Sequence, residues 1–361
     1  MKDVFQPRVV VVTGGAGFIG SNLVRWILAN VRDVAVVNVD ALTYAGTRTS
    51  LADVETQHGR DGSGRYFFSH LDVRDTAGLT ELLAGNARDT LDGRAIPSPD
   101  AVLHLAAETH VDRSIASAAA FVSTNVQGTM SLLDAVKSEL DARPREFRMI
   151  NVSTDEVYGS LGEREPPFTE HHGLRPNSPY SASKAGADCL VRAYVETHGL
   201  PCIITRSSNN YGPYQFPEKL IPYLIARALR DESLPIYGDG GNVRDWLHVE
   251  DHVEGLWRVC THGRVADEVY NIGGGAERRN LDVARTILAV LGKPESRIEL
   301  VADRPGHDRR YALDCTRIRD TLGWTPSHAF DDGLRNTVAW YLANRQWWEQ
   351  SFARASHHSP A

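Results

Sequence analysis

The stretch "VSTDEVYG" (152–159) sets a hydroxyl, two consecutive acids and a phenol close together: Thr154, Asp155, Glu156 and Tyr158. Apolar Met149, Ile150 and Val152 precede them in the pattern of a buried strand, so the acids stand at its end. Neighbouring carboxyls repel, and burying them is costly, so one of the pair is pushed toward its protonated form. A protonated acid beside an ionised one can give one proton and take another. Successive residues of a strand face opposite ways. Both acids can therefore serve one site only if the strand ends at about Ser153. A helix start, with Asp155 as its cap and Glu156 in its first turn, would also favour acids here.

A second pair lies in "SPYSASKAGAD". Tyr180 and Lys184 are four residues apart, on one face of a helix. An ammonium beside a phenol stabilises the phenolate and lowers the tyrosine from its usual value of about 10. Such a tyrosine can take a proton from a hydroxyl while hydride leaves the same carbon. On its own the pair would be an ordinary solvated one.

A hydride needs an acceptor, and "TGGAGFIG" supplies a place for one. Gly14, Gly17 and Gly20 fall between a β-branched run, Val9–Val12, and a helical pattern with Ile19, Leu23, Ile27 and Leu28. Glycines there let the backbone turn tightly against a pyrophosphate at a helix N-terminus. Asp40 follows at the end of the next strand. A carboxylate there accepts from a ribose 2′-hydroxyl and repels a 2′-phosphate, so the expected cofactor is NAD rather than NADP. Asp72, ending a third strand, is in reach of an adenine amine.

These residues need a frame. Strands are expected at 9–12, 33–42, 66–75, 101–110, 147–159 and 201–212, with helices between them, including 117–140 and 181–198. This alternation predicts an α/β fold: a Rossmann-type doubly wound parallel sheet. After about residue 212 the chain turns rich in Pro, Gly and aromatics. A strand (269–272), a helix (281–292) and the basic stretch "ADRPGHDRRYALD" (302–314) are expected to follow. The expected division is an NAD-binding unit over 1–212, rejoined by about 246–275, and a smaller C-terminal α/β substrate unit over most of 213–361.

The net charge of −7 argues against a nucleic-acid partner, whose phosphates favour a basic face. Cys189, Cys202, Cys260 and Cys315 are scattered with no C-x-x-C pair, so neither a metal knuckle nor a disulfide framework is expected. No apolar run reaches the ~18–20 residues of a membrane span. A strand begins within ten residues of the start, which leaves no room for a signal peptide. The expected setting is the cytoplasm, with no metal and no membrane. The tail "ASHHSPA" (355–361) is expected to fray.

The longer strings "HLAAETHVDRSI" (104–115), "VSTDEVYG", "SPYSASKA" (178–185), "NNYGPYQFPEKLIP" (209–222), "YGDGGNVRDWLHVEDH" (237–252) and "ADRPGHDRRYALD" resemble the nucleotide-sugar 4,6-dehydratases. These belong to the extended short-chain dehydrogenases/reductases, and the likeness is to the branch acting on dTDP-glucose. It implies an internal redox cycle: C4 of the sugar is oxidised, water is lost across C5–C6, and hydride returns to C6. Tyr180 would take the O4 proton with Lys184 beside it, and Thr154 would bond O4. Glu156 would remove the C5 proton and Asp155 would protonate the leaving hydroxyl. Tyr158 is left to packing. Cofactor contacts would come from Gly14, Gly17, Phe18, Ile19, Gly20, Asp40, Asp72, Val73, Ala106, Ala107, Tyr180 and Lys184. The nucleotide sugar would meet His110, Asn209, Lys219, Leu220, Tyr237, Arg244, Asn280 and Arg309. Arg279 and Arg310 are the alternatives to the last two, and a surface ion pair is the alternative for either Arg244 or Arg309. His104 reads as a core hydrogen-bonding residue. The resemblance also implies a homodimer through helices 117–140 and 181–198. The segment 85–99 is longer than in the family, and Thr109 and His248 stand where Ser and Tyr are common. A 4-epimerase or decarboxylase would share Tyr180, Lys184 and Thr154. An epimerase has no use for both acids, and a non-catalytic NAD-binding regulator would need neither pair.

Overall fold

The computed structural model describes residues 4–265 and 268–358, with the side chains of 353–358 left aside. Its strands in chain order are β1 (Val9–Thr13), β2 (Ala35–Asp40), β3 (Tyr66–His70), β4 (Ala101–His104), β5 (Arg148–Thr154), β6 (Cys202–Ser207), β7 (Asn209–Tyr211), β8 (Leu234–Tyr237), β9 (Val243–His248), β10 (Val269–Ile272), β11 (Glu277–Arg279) and β12 (Ile298–Val301). Seven form one parallel sheet in the order β10-β6-β5-β4-β1-β2-β3. The expected doubly wound sheet is therefore present.

The β-branched runs suit this sheet because both of its faces are covered. Val10 and Val12 pack with Leu23, Ile27, Val253 and Leu256 on one face. Val11 and Val37 pack with Leu82, Leu132, Val136 and Val191 on the other. The strand order reverses between β1 and β4, which is where such sheets open a crevice at their carboxyl ends. β10 lies beside β6, pairing Val269–Ile272 with Ile204–Ser207.

Two smaller sheets, β11-β9-β7 and β12-β8, share a third core with the helices Leu220–Leu229, Asn280–Val290 and Phe330–Ala343. Leu224, Ile236, Ile287, Leu334 and Trp348 meet there. The last helix, Arg345–His358, reaches into the tail expected to fray; 359–361 lie outside the described residues. Among the described residues no helix is long and apolar enough to cross a membrane. None of the four cysteines is in a disulfide.

Several expected elements differ. The expected strand 66–75 ends at His70, so Asp72 lies in the loop beyond it rather than at its end. The expected strand 201–212 is two strands in different sheets, β6 in the large one and β7 beside β9. The expected strand 101–110 stops at His104. The helix expected at 117–140 is divided: Ala119–Phe121, a wider π-turn at Val122–Gln127, then Gly128–Ala142.

The long segment 85–99 covers the outer edge of β3. Thr90 donates its backbone N–H to the Phe68 carbonyl (2.8 Å), and buried Asp89 accepts from the N–H groups of Phe68 (3.2 Å) and Leu91 (2.7 Å). The groups a free edge strand would offer to another chain are thereby occupied. Asp89→Ala should lower unfolding free energy by ~1–3 kcal/mol in urea titrations, because it leaves buried N–H groups unpaired. A change below ~0.5 kcal/mol, the range of ordinary surface substitutions, would remove this role from Asp89.

Candidate active site

A cleft of about 510 Å³ opens at the carboxyl ends of the large sheet. Its floor begins with the turn after β1. Gly14 has φ +70°, and a Cβ there would stand 2.8 Å from the Ala106 backbone. A Cβ on Gly20 would stand 2.1 Å from the Gly14 carbonyl oxygen. Only glycine fits either place. The helix Phe18–Asn30 starts at Gly17 with no side-chain cap, so its first N–H groups are open to an anion. Asp40 closes the turn by accepting from Ala16 N (2.9 Å) and Leu42 N (2.7 Å), and burial pushes its carboxyl up. The cradle, the uncapped helix and the strand-end acid fit a dinucleotide. Asp72 also lines the cleft, held by a paired bond to Arg74 (2.9 and 2.6 Å) that pulls its carboxyl down.

The second wall is built by β5 and its continuation. The strand runs through Thr154, and residues Asp155–Tyr158 form a single 3₁₀ turn. The cap of that turn is Thr154, whose hydroxyl accepts from Glu156 N (3.3 Å), rather than Asp155. Gly159, at φ +92°, ends it. The chain thus turns one residue later than expected, and both acids line the cleft. Asp155 is 1% exposed and its carboxyl is held well above the usual range, by burial first and then by Glu156 and Asp245. Glu156 is also raised by burial, but Lys219, Arg304 and Arg244 oppose this by favouring its carboxylate.

Tyr180 and Lys184 come from the helix Pro179–His198. Ser178 caps it reciprocally with Ser181, Pro179 fills its first turn, and Gly199 ends it at φ 66°. This start fixes Tyr180 as the second helical residue, with Lys184 one turn on. Tyr180 does not show the expected lowering. Its hydroxyl is raised, by burial and then by the charges of Glu156 and Asp155, with Thr154 acting in the opposite sense. The Lys184 ammonium donates to the Val152 carbonyl (2.8 Å), and burial lowers its own value. His104 is a core residue as expected, set between Thr13 (2.7 Å) and Thr129 (3.1 Å), with burial pulling it down to about 3.

All the expected cofactor residues and all five expected catalytic residues line this one cleft, as do Asn209, Lys219 and Leu220. Five other expected substrate residues lie off it. His110 caps the short helix Val111–Ala116, stands 3.9 Å from Glu218 and is pulled down to about 4 by burial. The Tyr237 hydroxyl donates to Asp112 (3.3 Å). Arg244 is buried against the Tyr311 ring and bonds the carbonyls of Val243 and Asp308. The Asn280 side-chain oxygen is buried without a partner among the described residues. Arg309 pairs with exposed Asp239 (3.0 Å). Of the two alternatives, Arg310 is committed to Glu277 by a paired bond (2.6 and 2.8 Å), and Arg279 is exposed.

Sequence reading missed Arg304, which pairs with Asp112 (3.2 Å) and acts on Glu156. It also missed a strap across the cleft. Tyr44 donates to Glu218 (3.0 Å) and meets Phe216 edge-on at 5.8 Å, while Lys219 donates to the Thr109 carbonyl (2.6 Å). The basic stretch 302–314 was a signal for Arg304; the strap left none. His248, Glu250 and His328 bring donor atoms within 4.8 Å of one another. The two imidazoles are stacked 4.2 Å apart at 26°, so their in-plane lone pairs do not converge on one ion.

Comparison with known proteins agrees with this geometry. The profile of the GDP-mannose 4,6 dehydratase family matches residues 11–337. The chain is 51% identical to a dTDP-glucose 4,6-dehydratase of Neisseria meningitidis, over 95% of each chain. It is 51% identical to dTDP-glucose 4,6-dehydratase 1 of Escherichia coli, over 94% of each. Among solved structures, DesIV, a dTDP-glucose 4,6-dehydratase of Streptomyces venezuelae solved with NAD bound, superposes with a TM-score of 0.86 at 47% identity, covering 95% of this chain and 99% of that one. A UDP-glucose 4-epimerase of Thermotoga maritima gives 0.80 at 27% identity, over 93% and 99%. With its glycine loop, acid pair and tyrosine–lysine pair in one cleft, the chain belongs to the dTDP-glucose 4,6-dehydratase family of the extended short-chain dehydrogenases/reductases.

Proposed function

We propose that the chain converts dTDP-glucose to dTDP-4-keto-6-deoxyglucose, with NAD as its cofactor and loss of one water. The observation that carries this reading is the acid pair, Asp155 and Glu156, lining one cleft with Tyr180, Lys184 and the glycine loop. A 4-epimerase needs the tyrosine–lysine pair but has no elimination for two further acids to serve.

Bound NAD supplies a hydride acceptor for C4 and a hydride donor for C6. Tyr180 takes the O4 proton, and Thr154 steadies the same oxygen. The ketone at C4 acidifies the C5 hydrogen. Glu156, faced by Lys219, Arg304 and Arg244, is the member of the pair better placed to be ionised and removes that proton. Asp155 is buried and pressed by two carboxylates, so it holds its proton and gives it to the departing C6 hydroxyl. The pair titrates as a unit, with Asp155 keeping the shared proton.

The nucleotide lies toward Asn209, Lys219 and Leu220, then toward His110, Tyr237, Arg244, Asn280 and Arg309. The cations among these suit a diphosphate. Residues 1–212 with the return at 246–275 form the NAD-binding unit, supported by the place of β10 in the large sheet; most of 213–361 forms the substrate unit. The protein works in the cytoplasm as a homodimer through the helices at 119–142 and 179–198. Exposed Val122 and Met130 on the first of these support that surface.

Purified protein should carry NAD and turn over dTDP-glucose without added oxidant, with loss of one water by mass spectrometry. A mass-neutral isomer as the product would favour the epimerase reading. A panel of dTDP-, UDP-, CDP- and GDP-glucose reads the base preference. Glu156→Gln should still oxidise C4, while elimination falls by ~10²–10⁴-fold. Exchange of the C5 hydrogen with solvent at the undiminished rate would take the base role from Glu156.

Asp155 also gives a stability prediction. Its folded value lies above the ordinary 3.8, so the folded protein binds the extra proton. Stability is then lost as pH rises from 3.8 toward the folded value. Asp155→Asn should therefore melt higher than the parent at about pH 8, by more than at about pH 4, while losing turnover. Equal melting differences at the two pH values would refute this.

A further inference from the structure

The strap across the cleft consists of two arms, and each is rooted on a rigid element. The first arm, 41–47, follows β2. At its start Asp40 accepts from Ala16 N in the glycine turn and from Leu42 N, and at its far end Thr47 N donates to the Ala16 carbonyl (3.2 Å). The second arm, 213–219, follows β7. Its Pro213 carbonyl accepts from Asn22 Nδ2 (3.0 Å) on the helix Phe18–Asn30, and Gln215 Nε2 donates to the Asn210 carbonyl (2.9 Å). Each arm bends at a large residue in the left-handed region, Leu42 at φ 52° and Tyr214 at φ 65°. Bulky side chains are disfavoured there, and such strain gathers at ligand clamps and switch segments.

The tips of the arms meet through side chains. The Tyr44 hydroxyl donates to Glu218 Oε1 (3.0 Å), and its ring meets Phe216 edge-on. The Arg113 guanidinium, from the short helix Val111–Ala116, lies 4.1 Å from the centre of the Tyr44 ring. The other oxygen of Glu218 faces His110 Nε2 at 3.9 Å, and the next residue, Lys219, donates to the Thr109 carbonyl. Ring and carboxylate are thus each steadied by the segment 109–113. Thr43, Tyr44, Phe216 and Glu218 line the same cleft as the glycine turn and Asp40. None of the four has a part in the chemistry above. A cycle that takes a hydride and gives it back needs its carrier to stay until the return.

We propose that Tyr44 and Glu218 form a latch for the cofactor: their hydrogen bond joins two anchored arms across the cleft, and NAD leaves only when that bond is broken. This rests on reading the cleft as an NAD site. The strained bends at Leu42 and Tyr214 let the arms part once the bond is gone, while their roots on the glycine turn and the helix Phe18–Asn30 stay in place. Release of NAD is then gated by a loop contact remote from the reacting atoms.

Tyr44→Phe keeps the ring against Phe216 and Arg113 and deletes only the hydroxyl. Protein equilibrated with adenine-labelled NAD, freed of excess and chased with unlabelled NAD reads the release rate directly. Tyr44→Phe should lose the label ~10-fold or more faster than the parent, the effect of one hydrogen bond to a charged acceptor. Glu218→Ala should do the same. The double variant should release no faster than the faster single variant, because both changes break the same bond. Label lost from Tyr44→Phe at the parent rate would overturn the latch. So would multiplied effects in the double variant, since the two residues would then act independently. A parent protein that takes up no label at all would end the NAD reading itself, a result distinct from uptake followed by unchanged release.

Discussion

Repulsion between Asp155 and Glu156 is the constraint around which the site is arranged. Two carboxyl groups follow one another in a single turn, under cover and away from bulk water. Ionising both would set two like charges in a poorly solvated place, so one proton stays. The surroundings decide where. Asp245 presses on Asp155, and three cations face Glu156. The turn exists because Thr154 caps it and Gly159 releases it. Its position exists because β5 is buried on both faces and ends at the crevice. A local sequence of eight residues thus depends on the topology of the whole sheet.

Much of this was legible in the chain, for a physical reason. The glycine loop, the strand-end Asp40, the acid pair and the tyrosine–lysine pair each depend on contacts between residues close in sequence. Spacing encodes such contacts directly. The end of β5 followed from a geometric objection, since two strand neighbours cannot face one sugar. The structure resolves it with a 3₁₀ turn that begins one residue after the expected point. What was not legible depends on distance along the chain. Tyr44 meets a partner 174 residues away. Arg304 reaches back to Asp112. The rise of Tyr180 depends on burial, which overrides the pairwise attraction that the lysine suggests. The commitment of Arg310 to Glu277 depends on β11, and periodicity did not single out that strand.

The same logic separates the two helices that frame the cleft. The one beginning at Phe18 is uncapped, and its open N–H groups are available for an anion. The one beginning at Pro179 is capped at both ends, and its work is done by side chains one turn apart. One offers its backbone and the other its faces. Between them the large sheet supplies rigidity, and the segment 85–99 closes one of its edges to other chains.

The strap of Tyr44, Phe216, Glu218 and Lys219 joins the loop after β2 to the approach of the helix Leu220–Leu229, over the cleft. In the dehydration cycle the hydride taken from one carbon goes back to the next carbon but one. The reaction then has no external redox partner to answer to. Its direction is set by the free energy of the dehydrated sugar alone, and the surrounding ratio of oxidised to reduced nicotinamide does not enter the balance.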